Sequence, residues 1–166
     1  MKRFFKRAVQ FAVCAFAVSL SGGATAQLLD NKDLSAAIAL TIAQTTLATC
    51  KANGYVVSVT VVGRNGENLV QVKGDNAPPH TVENSQRKAY TSRTFRIPSG
   101  ELVTRLKNDP TLGLIHLNNV IANQGGLPIR AGNEVIGGVG ASGAPGGDKD
   151  EACVRAGIEK VADLLK

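Results

Sequence analysis

His80 and His116 are the only imidazoles in this 166-residue chain, and imidazole is the commonest side chain for holding a metal and for moving a proton near neutral pH. His80 follows Pro78-Pro79 and precedes Thr81, so a stiffened stretch of chain would aim its ring. His116 sits within Leu114-Ile115-His116-Leu117, where packing among apolar neighbours is the simpler role. Neither histidine stands at a recognisable spacing from both an acid and a nucleophile. Ser142 lies in Gly140-Ala141-Ser142-Gly143-Ala144, which lacks the second glycine of a Gly-x-Ser-x-Gly elbow. Two histidines without help from carboxylates do not build a typical catalytic zinc site.

The glycine-rich run from Gly137 to Ala144 suggests a phosphate loop at first sight. It lacks the Lys-Ser/Thr ending of a Walker A loop, and the next helix can begin only after Pro145-Gly146-Gly147, too late for a dinucleotide fingerprint. What these glycines permit is close approach of backbone to a neighbouring strand or to a flat ligand. Arg87 and Lys88 are adjacent cations that either pair with carboxylates or stand in solvent. Cys50 and Cys153 are the two cysteines beyond residue 26. In an oxidising compartment an even pair suggests a disulfide; otherwise they are two small buried apolar residues.

The elements that must position these groups follow from patterning. Asp30 can cap a helix starting near Lys32, with Leu34, Ile38, Ile42 and Thr45 at helical spacing and Asn53-Gly54 as its stop. Tyr55 to Val62 is a Val-rich strand, Asn65-Gly66 a hairpin turn, and Leu69 to Val72 the returning strand. Thr81 can cap a helix running to about Phe95, and Ser99 a shorter one from Glu101 to Lys107. Leu114 to Ile121 reads as short helix or irregular structure followed by a strand. Gly125-Gly126 precedes a strand at Leu127–Ile129, Arg130 to Asn133 is a turn, and Glu134 to Val139 is another strand. Asp148 can cap a last helix with Val154, Ile158, Val161, Leu164 and Leu165 on one stripe. Short turns between successive strands imply a mainly antiparallel sheet. The expectation is therefore one layered α/β (α+β) domain, with a central antiparallel five-stranded sheet flanked by helices.

The N-terminus carries Lys2, Arg3, Lys6 and Arg7, then the uncharged run Ala8 to Leu20, then Ala24-Thr25-Ala26. That order of charge, apolar stretch and small residues is a secretory signal peptide over residues 1–26, leaving Gln27 first in the mature domain, residues 27–166. The apolar run is too short to cross a ~30 Å hydrocarbon core, and Cys14 lies too early within it to be a lipidation site. The domain is thus expected to be periplasmic or secreted, with no membrane insertion after cleavage. The whole chain has 19 basic and 13 acidic residues, net +6. Four cations and no acid leave with the signal, so the mature domain holds 15 against 13, or +2. Such a balance, without a basic cluster, gives no footprint for nucleic acid. Tryptophan is absent, so the core must be aliphatic.

Several segments, in their order and spacing, resemble the GlcG/HbpS family of haem-binding proteins. They are the Cys50 helix end with Gly54, Val61-Val62-Gly63 with Asn65-Gly66, Asp75-Asn76-Ala77, Arg87-Lys88-Ala89-Tyr90-Thr91-Ser92, Gly125-Gly126-Leu127-Pro128-Ile129, Glu134-Val135-Ile136-Gly137, Gly140-Ala141-Ser142-Gly143-Ala144 and Asp150-Glu151-Ala152-Cys153. Asn76 stands where the family usually has glycine, and Ala141 where it usually has valine. The resemblance implies an exported haem or tetrapyrrole binder, for capture, storage or sensing, that forms a homo-oligomer. It implies a site drawn from His80, Asp75, Arg87, Lys88, Gly125, Gly126, Pro128, Ser142 and Gly143, with His80 as iron ligand and Arg87 and Lys88 facing the propionates. It also implies that the first and last helices lie side by side, so that Cys50 and Cys153 bond. The alternatives are a small enzyme acting on a hydroxy- or oxo-acid and a corrinoid-related binding domain, since a similar domain ends some corrinoid adenosyltransferases.

Overall fold

Helix α1, Ala36–Ala52, opens at Ser35, whose Oγ accepts from the Ile38 amide at 3.3 Å. The cap is therefore Ser35 and not Asp30, because the extended backbone of Ser35 lets its hydroxyl satisfy an amide that the first turn leaves unpaired. The computed structural model describes residues 27–166; the expected signal at residues 1–26, with Cys14 inside it, lies outside the described residues. Asn53 and Gly54 end the helix, with Gly54 at φ +78°.

Strands β1, Ser58–Val62, and β2, Asn68–Lys73, form the expected hairpin, with Gly66 at φ +83° in the turn. Helix α2 spans His80–Phe95 and α3 spans Ser99–Asn108. A short 3-10 helix at Gly113–His116 leads to strands β3, Gly126–Ala131, and β4, Glu134–Ser142. Helix α4, Gly147–Glu159, precedes a last 3-10 turn at Ala162–Leu164, so the final stripe breaks before Val161 and leaves Leu164 exposed. Residues 31–166 form one compact unit.

The sheet order is β2-β1-β4-β3, antiparallel throughout. Among the described residues it has four strands, not the expected five. The missing strand was expected at the end of 114–121. There the backbone is taken up by α2 instead: Arg87 Nη2 donates to Val120 O at 2.7 Å, and Ile121 N donates to Thr91 Oγ1 at 2.9 Å. These two bonds occupy the Val120 carbonyl and the Ile121 amide, groups that a strand ladder would otherwise use. His116 is exposed, not packed, and so are Ile115 and Leu117.

The two faces of the sheet differ in chemistry. Val57, Val59, Val61, Ile129, Val139 and Ala141 meet α1 and α4 in an aliphatic core. There Cys50 and Cys153 are bonded, with Cα atoms 5.4 Å apart. The opposite face receives α2 on small and polar groups. Thr81 Oγ1 donates to Pro78 O and pairs with Ser58 Oγ at 2.7 Å; Ser85 Oγ donates to Val82 O and pairs with Thr60 Oγ1 at 2.8 Å. A Cβ on Gly138 or Gly140 would collide with the Ala89 or Ser85 carbonyl oxygen. The glycine run is the floor on which α2 lies, which is why all five residues of β1, covered on both sides, are buried.

Candidate functional site

Where the N-terminal half of α2 meets the end of β4 and the start of α4, a cavity of about 250 Å³ opens between His80, Asn84, Lys88, Ser142, Gly143 and Asp150. His80 is the first residue of α2 and is exposed on the rim. No side-chain oxygen caps this helix: Thr81, expected as the cap, lies inside the first turn and bonds to Pro78 and Ser58. Asn84 Nδ2 donates to Ser142 Oγ at 2.9 Å, tying α2 to β4 across the wall.

The base of the cavity is a buried ion pair. Lys88 Nζ lies 2.8 Å from Asp150 Oδ2 and donates to Ala141 O at 3.0 Å. Asp150 Oδ1 accepts from the Ala144 amide at 3.0 Å. Asp150, in the first turn of α4, thus closes the loop before its own helix, while Gly146, and not the expected Asp148, stands at the cap position of α4. Burial pushes the Asp150 carboxyl above its ordinary pKa, against the opposing pull of Lys88 and of the Ala144 amide. Gly125, at φ +120°, brings its backbone against this pair, and a Cβ there would stand 2.9 Å from Lys88 Nζ. Gly126 N donates to Ser99 Oγ at 2.8 Å, so Ser99, expected as a helix cap, anchors β3 to α3 instead.

The residues singled out in the sequence therefore separate. His80, Lys88, Ser142 and Gly143 line the cavity, with Gly125 and Gly126 directly behind Lys88. Arg87 is half-buried, donating to Val120 O and standing 3.6 Å from Glu83. Asp75 faces a different concavity of about 520 Å³, with Lys51, Tyr55 and Val72. Pro128 lines a third, of about 550 Å³, between α3, β3 and α4. Sequence reasoning missed Asn84 and Asp150. Asp150 carried a weak signal as an acid in the first turn of a helix, but nothing in linear spacing joined it to Lys88. Among the described residues no group of three His, Cys, Asp or Glu side chains is placed to hold a metal ion, and no helix is long and apolar enough to cross a membrane.

A four-stranded antiparallel sheet, with a disulfide-bonded helix pair on one face and a polar-faced helix on the other, defines an α+β domain of the kind that flanks a small cavity with glycine-rich backbone. The family described as haem degrading protein, HbpS-like, matches residues 34–159, and the chain belongs to that family. A double mutant of HbpS from Streptomyces reticuli is 35% identical, with 81% of this chain and 90% of that chain covered at a TM-score of 0.77. Protein ORFY of Klebsiella pneumoniae shares the fold at 23% identity, with 82% and 95% covered and a TM-score of 0.76. The protein of a PduOC:heme complex shares it at 22%, with 76% and 93% covered and a TM-score of 0.70. A comparison with curated proteins finds no match.

Proposed function

We propose that this chain is an exported haem-binding protein serving capture, storage or sensing, and that His80 meets the iron. Membership of the HbpS-like family over residues 34–159 carries the reading; the PduOC neighbour, similar in fold, is crystallised with heme. His80 suits the role because its ring is exposed on the cavity rim and makes no hydrogen bond among the described residues. The cavity, at about 250 Å³, is below the ~300–1,000 Å³ of sites that enclose a small molecule. The macrocycle would rest across its mouth, one edge toward Asn84, Ser142 and Gly143. Lys88 is committed to Asp150, so Arg87 is the cation for a propionate: it lies two turns along α2 from His80, ~10 Å by helix rise.

Hemin titration of the mature domain tests this. The wild type should give a saturable Soret shift, and His80→Ala should weaken binding and move the band, while His116→Ala should do neither. The family's description as haem degrading favours one further reading, turnover of the bound haem; it would show as Soret bleaching when a reductant and oxygen are supplied. Export with cleavage before Gln27 and assembly into a homo-oligomer complete the proposal. The first rests on the order of charged, apolar and small residues at the N-terminus.

A further inference from the structure

The concavity that Pro128 lines lies away from His80, between the start of α3, the edge strand β3 and the outer side of α4. At about 550 Å³ it is more than twice the volume of the His80 cavity and within the range of small-molecule sites. Its apolar surface comes from Ile97, Leu127, Pro128 and Ile158. Such a surface next to charged side chains suits a ligand with an apolar body and a polar head.

The charges on its rim are sorted. Arg130 Nη2 donates to the Arg96 backbone carbonyl at 2.8 Å, which pins Arg130 beside Arg96 without neutralising either. Among the described residues neither arginine forms an ion pair, whereas Arg155 is held by Glu151 at 3.1 Å. The rim acids are Glu101 and Glu159. Glu101 also lines an adjoining cavity with Gln124 and Glu151. These acids oppose a polyanion, whereas the guanidinium of Arg96 and the remaining donors of Arg130 suit a single carboxylate.

We propose that this groove binds an amphipathic monocarboxylate, with its apolar body on Ile97, Leu127, Pro128 and Ile158 and its head at Arg96 and Arg130. This site is separate from the His80 cavity and needs no iron. Calorimetric titration of the mature domain with dodecanoate, below its micelle-forming concentration, tests it. Dodecanoate should saturate one site per chain, and dodecanol should bind at least tenfold more weakly. Arg96→Gln/Arg130→Gln should lose tenfold or more in dodecanoate affinity at unchanged melting temperature, while Arg105→Gln, on α3 outside the groove, and His80→Ala should match the wild type. Undiminished binding in the double arginine variant, equal binding of dodecanol, loss of binding in His80→Ala, or no saturable binding would each overturn the proposal. Hemin titrations of the same variants keep the two sites apart: a domain that takes up hemin but not dodecanoate refutes the groove alone, and the converse refutes the haem site alone.

Discussion

Lys88 and Asp150 are each nearly out of water, with side chains 2% and 4% exposed, and each is tolerable there because of the other. Removing one partner of such a pair leaves an uncompensated buried charge and costs ~3–5 kcal/mol, whereas replacing both costs far less. Lys88→Met should therefore lower the unfolding free energy by about that amount at neutral pH, and Lys88→Met/Asp150→Asn should recover much of it. The pH dependence has a definite sign. Burial already raises the folded-state pKa of Asp150, so its contribution to stability is full below the unfolded carboxylate pKa and is lost as pH rises through the folded value. Without Lys88 that pKa goes higher still, and the deficit of the single variant shrinks on acidification. Urea titrations of both variants beside the wild type, across a pH series, check this; a deficit that grows toward acid would contradict it. The pair was not legible in the sequence. Lys88 shares its helix face with Thr81, Ser85 and Ser92, all buried, and a face of hydroxyls and a cation reads as solvated unless one knows that glycines lie beneath it.

The helices and strands were more legible, because hydrophobic period and turn chemistry act locally. Val-rich β1, the Asn65-Gly66 hairpin and the boundaries of α2 fall within a few residues of expectation. Two of the misplaced caps share a cause: Thr81 and Ser99 are good cap residues by type, but their hydroxyls are drawn to neighbouring elements. The absent fifth strand has the same origin, in side chains of α2 that reach the 120–121 backbone. The Cys50–Cys153 bond joins α1 to α4 across 103 residues of chain, and α4 carries Asp150 one turn before Cys153. Cys50→Ala/Cys153→Ala should cost ~2–5 kcal/mol, largely through a freer unfolded chain, and lower the urea midpoint with little change in far-ultraviolet dichroism. A double variant as stable as the oxidised wild type would count against a structural role for the bond.

At the scale of the molecule, the site combines groups that no linear motif joins: the start of α2, the end of β4 and the first turn of α4. Order and spacing of many weak segments pointed to the family where no single motif did, and glycines that resembled a ligand loop proved to be the bed of a helix. Export and assembly are open to one experiment. Native mass spectrometry of periplasmic material should show a chain beginning at Gln27 in a homo-oligomer; a chain retaining residues 1–26, or a monomer at micromolar concentration, would refute the corresponding part of the proposal.

Hemin titration of that mature protein bears most directly on function. His80 stands exposed on the cavity rim, and His116 is also exposed, at the end of the 3-10 helix that follows α3, so being exposed does not separate them; position beside the cavity does. The expected result is a saturable Soret shift in the wild type, retained in His116→Ala and both weakened and moved in His80→Ala. A wild-type domain that gives no saturable shift, or a His80→Ala spectrum that superimposes on the wild type, would contradict the assignment of haem to this site.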